Sequence, residues 1–402
     1  MKRKITIIFA IILVLVAVGG ARRSFQSKYE ALQPKSPSLS SSPLPPSPPP
    51  PPQTSEITLV KLTDEGGRVD WYRGSQAKHS LIAYDPIVNF RQDTEIYTME
   101  PDGGDKFCVT CDSSVPKGFI GQPAWHPNGQ LILFQAENSN SKHGFYNHMA
   151  WGFNNDLWII NKDGSGAQKI WSTLKSSSVL HPHFSHDGKK IVFAERKPGS
   201  ALSPYWRKNG PDGQNPWIDW QIHIADFDLS KTGESALSNH KILYSDSGDF
   251  FETHGFTEDN QRIVFSMTAN GKPYEDDIYT ARLDGSDKIN LINSPSTWDE
   301  HGSFSPSGKT LAFMSSRADN GWTAPESTGA TLRTELYIKN IGDGKIIRLT
   351  DFNKDMDDSR FLVSDLDWNR GGNKIVFVGG EFDANSRPKH PQIWVLSFLK
   401  PQ

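Results

Sequence analysis

Cysteine is almost absent from this 402-residue chain, with Cys108 and Cys111 the whole complement. A zinc site on these two thiols would need two more soft ligands, and no other cysteine is present to supply them. Excess charge of one sign is lacking too: 43 Lys and Arg stand against 46 Asp and Glu, a formal net charge of −3. No basic groove follows from that balance, so nucleic acid is not an expected partner. The chain carries no G-x-S-x-G nucleophile elbow, no P-loop and no dinucleotide fingerprint. Asp-Gly pairs such as Asp163-Gly164 and Asp284-Gly285 lack the ligand spacing of calcium loops and read as turns.

What is present begins with an export-type leader. Met1-Lys-Arg-Lys4 is basic, and Ile5 to Val18 is an unbroken apolar run. That pairing predicts a signal anchor or signal peptide over residues 1–23, with the basic end in the cytoplasm. Arg22-Arg23 would be a poor mature start, which favours an uncleaved single-pass anchor with the remainder outside the cell membrane. Cleavage would instead give a secreted or periplasmic protein. Residues 24–55 form a Pro/Ser-rich linker ending in five consecutive prolines, Pro48 to Pro52. Proline fixes φ and removes the backbone donor, so this stretch cannot join a sheet. About twenty such residues at ~3.1 Å each would span roughly 60 Å, as a stalk or a disordered linker. Outside the cytosol, Cys108 and Cys111 are expected to form a local disulfide, with free thiols the alternative.

Residues 56–400 repeat one pattern: an aromatic, a polar turn, an apolar β-run, then a second β-run ending near an Asp-Gly turn. It reads "AWHPNGQLILFQ" with "DLWIINKDGSG", "HFSHDGKKIVFAE" with "QIHIADFD", and "GFTEDNQRIVFSM" with "DIYTARLDGS". It returns as "SFSPSGKTLAFMSSR" with "ELYIKNIGDGKIIRLT", and as "DWNRGGNKIVFVGG" with "QIWVLSF"; a degenerate first copy is "DWYRGSQAKHSLIAYDP" with "EIYTMEPDGG". Polar turns reverse the chain, and runs such as Ile191 to Ala194 suit strands buried on both faces. Six copies of four strands, recurring every 45 to 65 residues or about that, predict an all-β, six-bladed β-propeller. The last copy supplies only three strands, so Ile57 to Thr63 is expected to complete it and close the ring.

These copies resemble the TolB-type repeat of WD-like propellers, a likeness specific for fold and weak for function. The resemblance implies an envelope protein that binds a protein, peptide or glycan, anchored only through its N-terminal helix and monomeric. There is no room for an α/β-hydrolase domain, which argues against a complete prolyl-oligopeptidase-type peptidase.

Ligand-binding candidates come from long insertions between second and third strands. Trp151, Tyr205, Trp206, Trp217 and Trp322 lie in or near them and Trp298 in a blade connection, offering aromatic platforms. All are expected on one rim, where they either contact a ligand or fold over as a lid. Aligned on their aromatics, the innermost strands put Arg68, Gln122, His181, Thr253, His301 and Asp365 at one level of the channel. Asp70, Ala124, His183, Gly255, Ser303 and Asp367 follow two residues on. His181, His183, His254 and His301 are therefore candidate ligands of a divalent metal, with Glu252 beside them and His254 joining through a bulge. Gln122 and Glu252 are also candidate ligand-binding residues. This mouth is similar to the metal site of oligogalacturonate lyases, which implies an alternative activity as a metal-dependent polysaccharide lyase. The competing expectation is that these histidines bond the neighbouring backbone and hold no ion.

Overall fold

Polar turns set the geometry. In "SHDG" the Gly188 amide donates to the Ser185 carbonyl at 2.8 Å, while Ser185 Oγ accepts from the Lys190 amide at 2.9 Å. Gly188 has φ +71°, a conformation that costs most other residues about 1–2 kcal/mol. The fourth blade uses Asn260 instead, at φ +57°, with its amide on the Thr257 carbonyl at 2.8 Å. The turns return the chain into short apolar strands, giving an antiparallel meander.

The computed structural model describes residues 57–74, 80–87, 93–141, 152–197, 219–245, 249–268, 276–294, 297–317, 332–354, 359–383, 389 and 391–398. Its strands form six four-stranded sheets, each a propeller blade. The first strand, β1 (Ile57–Thr63), stands apart from the blade that follows it. Blade one is β2 (Val69–Trp71), β3 (Ile82–Tyr84), β4 (Tyr97–Met99) and β5 (Phe107–Cys108); blade two is β6 (Ile120–Trp125), β7 (Leu131–Glu137), β8 (Asn155–Asn161) and β9 (Gln168–Trp171). Blade three is β10 (Ser178–Phe184), β11 (Lys190–Arg196), β12 (Trp220–Phe227) and β13 (Leu237–Tyr244). Blade four is β14 (Phe250–Phe256), β15 (Arg262–Thr268), β16 (Asp277–Arg282) and β17 (Ile289–Asn290). Blade five is β18 (Asp299–Phe304), β19 (Thr310–Ser315), β20 (Glu335–Asn340) and β21 (Ile346–Arg348). The sixth has β22 (Arg360–Trp368), β23 (Lys374–Phe382), β24 (Gln392–Phe398) and, as its outer strand, β1. In that last pairing Ile57 faces Phe398 and Lys61 faces Trp394.

The core lies between blades and within them, where the β-branched and aromatic runs are buried on both faces. One cluster joins blades one, three, four and six, and a second fills blades five and six around Trp368 and Phe377. Carboxylates stitch inner strand to inner strand. Asp367 Oδ2 accepts from the Trp71 amide at 3.0 Å, and Asp70 Oδ2 accepts from the Trp125 amide at 2.6 Å. Cys108 and Cys111 are disulfide-bonded at the outer edge of blade one. Among the described residues no helix is long and apolar enough to cross a membrane. The apolar run, the proline stretch and the insertion residues Trp151, Tyr205, Trp206, Trp217 and Trp322 lie outside the described residues.

Candidate functional site

The innermost strands are not regular. Each of five, from blade two to blade six, slips register at the same level: between Gly121 and Ala124, Leu180 and His183, Thr253 and Gly255, Glu300 and Ser303, and Val363 and Leu366. Such bulges re-aim side chains. Gln122, His181 and His301 take left-handed backbone at φ +56°, +49° and +55°, and in blade four Gly255 takes φ +102°. Strain at three non-glycine residues on one level of a channel directs attention to what they hold.

They bring a histidine–carboxylate cluster together. Ring centroids are 5.5 Å apart for His254 and His301, 5.9 Å for His181 and His301, and 6.2 Å for His181 and His254. Glu252, Glu300 and His301 each offer one ligand atom, all within 4.8 Å of one another and all buried. His181 Nε2 lies against Glu252 Oε1. His301 Nε2 is 3.6 Å from Glu300 Oε2, and its Nδ1 is 3.6 Å from Asp365 Oδ1. His254 is oriented by a 2.6 Å hydrogen bond between its Nε2 and Ser266 Oγ, the kind of outer support that metal-binding imidazoles use.

Burial and mutual crowding set the protonation states at this level. Burial, and then the neighbouring Glu300, push the Glu252 carboxyl well above its ordinary range. Burial also holds His181 and His254 well below theirs, with Arg68 adding to His181 and His301 to His254. Neutral imidazoles are ready to ligate a divalent ion, and such an ion would displace the proton that Glu252 holds. Glu300 Oε1 is buried without an N–H or hydroxyl donor, and the Glu300 carboxyl is hydrogen-bonded to that of Glu252, a crowding of acids that a cation would relieve, so the donor set fits an ion on a structural observation as well.

Two arginines from the ring-closing part of the chain cross the channel. Arg68 Nη1 pairs with Asp365 Oδ1 of blade six at 2.5 Å, and its Nη2 is 3.9 Å from Glu252 Oε1 of blade four. Arg73 Nη1 reaches Glu258 Oε1 at 2.6 Å and the Phe304 carbonyl at 3.0 Å, while its Nη2 is 3.1 Å from Asp367 Oδ1. A cavity of about 290 Å³ lies between these levels, lined by His181, His183, His186, His254, His301, Arg73, Glu258, Asp365 and Asp367 among others. Four carboxylates line it against one guanidinium, counting Asp70. Burial, with Asp367 next, raises Asp70 to about 8, and burial lowers His183 to about 4 and His186 to about 3.

Several expectations meet a different geometry. Trp298 is no rim platform: it is 1% exposed, packs in the core of blades five and six, and donates its indole N–H to Glu300 Oε2 at 2.9 Å. It directly precedes β18, and so is carried beneath the rim with that strand. His183 falls beyond the bulge, lines the cavity at the next level, and is not among the residues of the buried triad. Gln122 is buried, and its Oε1 accepts from the His181 amide at 2.5 Å, joining blade two to blade three. The cavity also runs away from the insertion-bearing rim, to the turns between first and second strands that hold His186, Glu258 and Pro306. Arg73, Glu258 and His186 were not expected there. Their sequence signal was only their place in the first hairpin turn of a blade.

Fold and site thus define a closed six-bladed β-propeller with an acidic, histidine-bearing channel. Among solved structures, it is similar to TolB from Acinetobacter baumannii, with 16% identity over 80% of this chain and 64% of that one and a TM-score of 0.48. This chain therefore spans somewhat less than two thirds of that protein's length. It is also similar to oligogalacturonate lyase from Vibrio parahaemolyticus, at 10% identity over 84% and 93% of the two chains with a TM-score of 0.47. A third likeness is to prolyl oligopeptidase B from Galerina marginata, at 10% identity over 82% and 43% with a TM-score of 0.44. No protein-family model matches the chain, and no curated protein matches it.

Proposed function

We propose that this chain is an extracytoplasmic binding propeller of the cell envelope whose channel holds a divalent cation. The observation that carries the reading is the convergence of Glu252, Glu300 and His301 from two blades, beside His181 and His254. Mixed imidazole and carboxylate donors suit a first-row ion such as manganese or zinc. Bound there, the ion would join blades four and five and offer a charged centre for an oxygen-bearing group of a peptide or glycan.

The acidic lining supports this reading over a lyase. A lyase acting on acidic sugars needs net positive charge at the ion to neutralise the substrate carboxylate. Glu252 and Glu300 together cancel a dication, and the cavity adds Glu258 and Asp367 against Arg73, with Asp365 already paired to Arg68 and Asp70 held protonated. Those charges support binding over elimination. The N-terminal run and proline stretch support placement outside the membrane on a stalk.

Metal content of the purified protein, with thermal unfolding in manganese, zinc or chelator, tests the reading. A bound ion at 100 times its Kd adds about 2.7 kcal/mol of stability. We expect near-stoichiometric metal, a higher Tm with metal, and loss of both in His301→Ala and Glu252→Gln. Absence of metal together with an unmoved Tm refutes it. A glycan and peptide screen with and without chelator then identifies the ligand class.

A further inference from the structure

We infer that Arg68 is a specificity-determining residue of the channel: a tethered cation that shares Glu252 with the divalent ion and keeps Asp365 from it. The inference rests on the metal reading above. Arg68 cannot retreat as a whole, because its amide donates to Asp85 Oδ1 at 2.7 Å and the preceding backbone is wedged against blade one. A Cβ on Gly67 would stand 1.6 Å from the Asp85 carbonyl oxygen. The side chain is 10% exposed, and its reach is divided between two carboxylates. Asp365 Oδ1 is 2.5 Å from Nη1 and also 3.6 Å from His301 Nδ1. That oxygen therefore stands next to a candidate ligand while committed to the guanidinium. Glu252 Oε1, 3.9 Å from Nη2, belongs to the candidate triad itself.

A fixed positive charge beside two donor oxygens opposes a dication, and its removal releases both. The Arg68→Met variant of the full chain should bind Mn²⁺ at least about tenfold more tightly, the change that ~1.4 kcal/mol makes. Its preference should also move from zinc towards manganese as a carboxylate oxygen joins the ligands. Adding Asp365→Asn to that variant should remove most of the gain. Titration calorimetry with Mn²⁺ and Zn²⁺ reads each case.

Should Arg68→Met fail to fold, Asp365→Asn alone is informative. It leaves Arg68 undivided on Glu252, so Mn²⁺ affinity should fall by about tenfold, and a rise overturns the inference. If wild type binds metal and Arg68→Met binds it no more tightly, the inference fails while the metal reading stands. If only Arg68→Met binds, Arg68 holds the role inferred and the wild-type metal reading fails. Binding by neither overturns both.

Discussion

Asp85 makes the sharpest pH experiment in the protein, because its carboxyl is fully buried yet binds two backbone amides. Oδ1 accepts from the Arg68 amide at 2.7 Å and Oδ2 from the Gln122 amide at 2.6 Å, joining blade one to blade two. Burial nonetheless outweighs these bonds and raises the carboxyl from 3.8 to about 7. A folded-state pKa above the unfolded value means that the folded protein prefers the protonated form. This contribution is most favourable below pH 3.8 and is lost as pH rises through about 7. Each unit of difference corresponds to about 1.4 kcal/mol. Between pH 5 and pH 8 some two of the three units are traversed, so wild type should lose about 2.5 kcal/mol on this account. Asp85→Asn has no such titration, although its amide nitrogen would face one donor and cost about 2 kcal/mol at any pH. Denaturant unfolding of both proteins at half-unit steps isolates the difference, since other titrating groups are common to both. The stability gap should favour wild type by roughly 2.5 kcal/mol more at pH 5 than at pH 8. A gap independent of pH, or one that widens upward, would refute the reasoning.

Two further predictions concern the cluster's surroundings and the disulfide. Trp298→Phe removes the indole hydrogen bond to buried Glu300 while keeping most of the packing, and should cost about 1–3 kcal/mol by denaturant unfolding. A loss below 0.5 kcal/mol or so would mean that this contact does not hold Glu300. Replacing Cys108 and Cys111 together by serine opens a very short loop, for which chain entropy predicts a loss of only about 2 kcal/mol. The variant should therefore remain folded at 25 °C by circular dichroism, and unfolding would show a larger structural role.

The blades were legible because each carries its own turn chemistry and apolar run, and neither depends on distant contacts. Blade one shows the limit: β2, β3 and β4 have three residues each, matching its degenerate copy. His181 and His301 could be placed by alignment, and the irregular spacing of "ETHGF" pointed to a bulge at His254. The left-handed backbone of His181 and His301 could not be read this way, because periodicity assumes regular strands. Trp298 was misplaced for a related reason. Aromatic residues before an inner strand look like surface features until the neighbouring blade is known to cover them. The charge of the cavity was equally hidden, since Arg73, Glu258 and Asp367 meet only after blades one, four and six are assembled.

The pairing of β1 with β24 sets an order of events for the newborn chain. The first of the described strands has its partner in the last of them, more than 300 residues later by sequence separation. Until then β1 waits with both edges unpaired, and the ring stands open at the sixth blade. Contacts this distant form slowly and leave strand edges exposed meanwhile. Exposed Leu59 and Val60 sit within that waiting strand. Synthesis of a shortened chain that stops before Gln392 would therefore be more than a loss of one strand. It would strand the first one as well, leaving five complete blades, a two-stranded remnant of the sixth and a β1 without its partner.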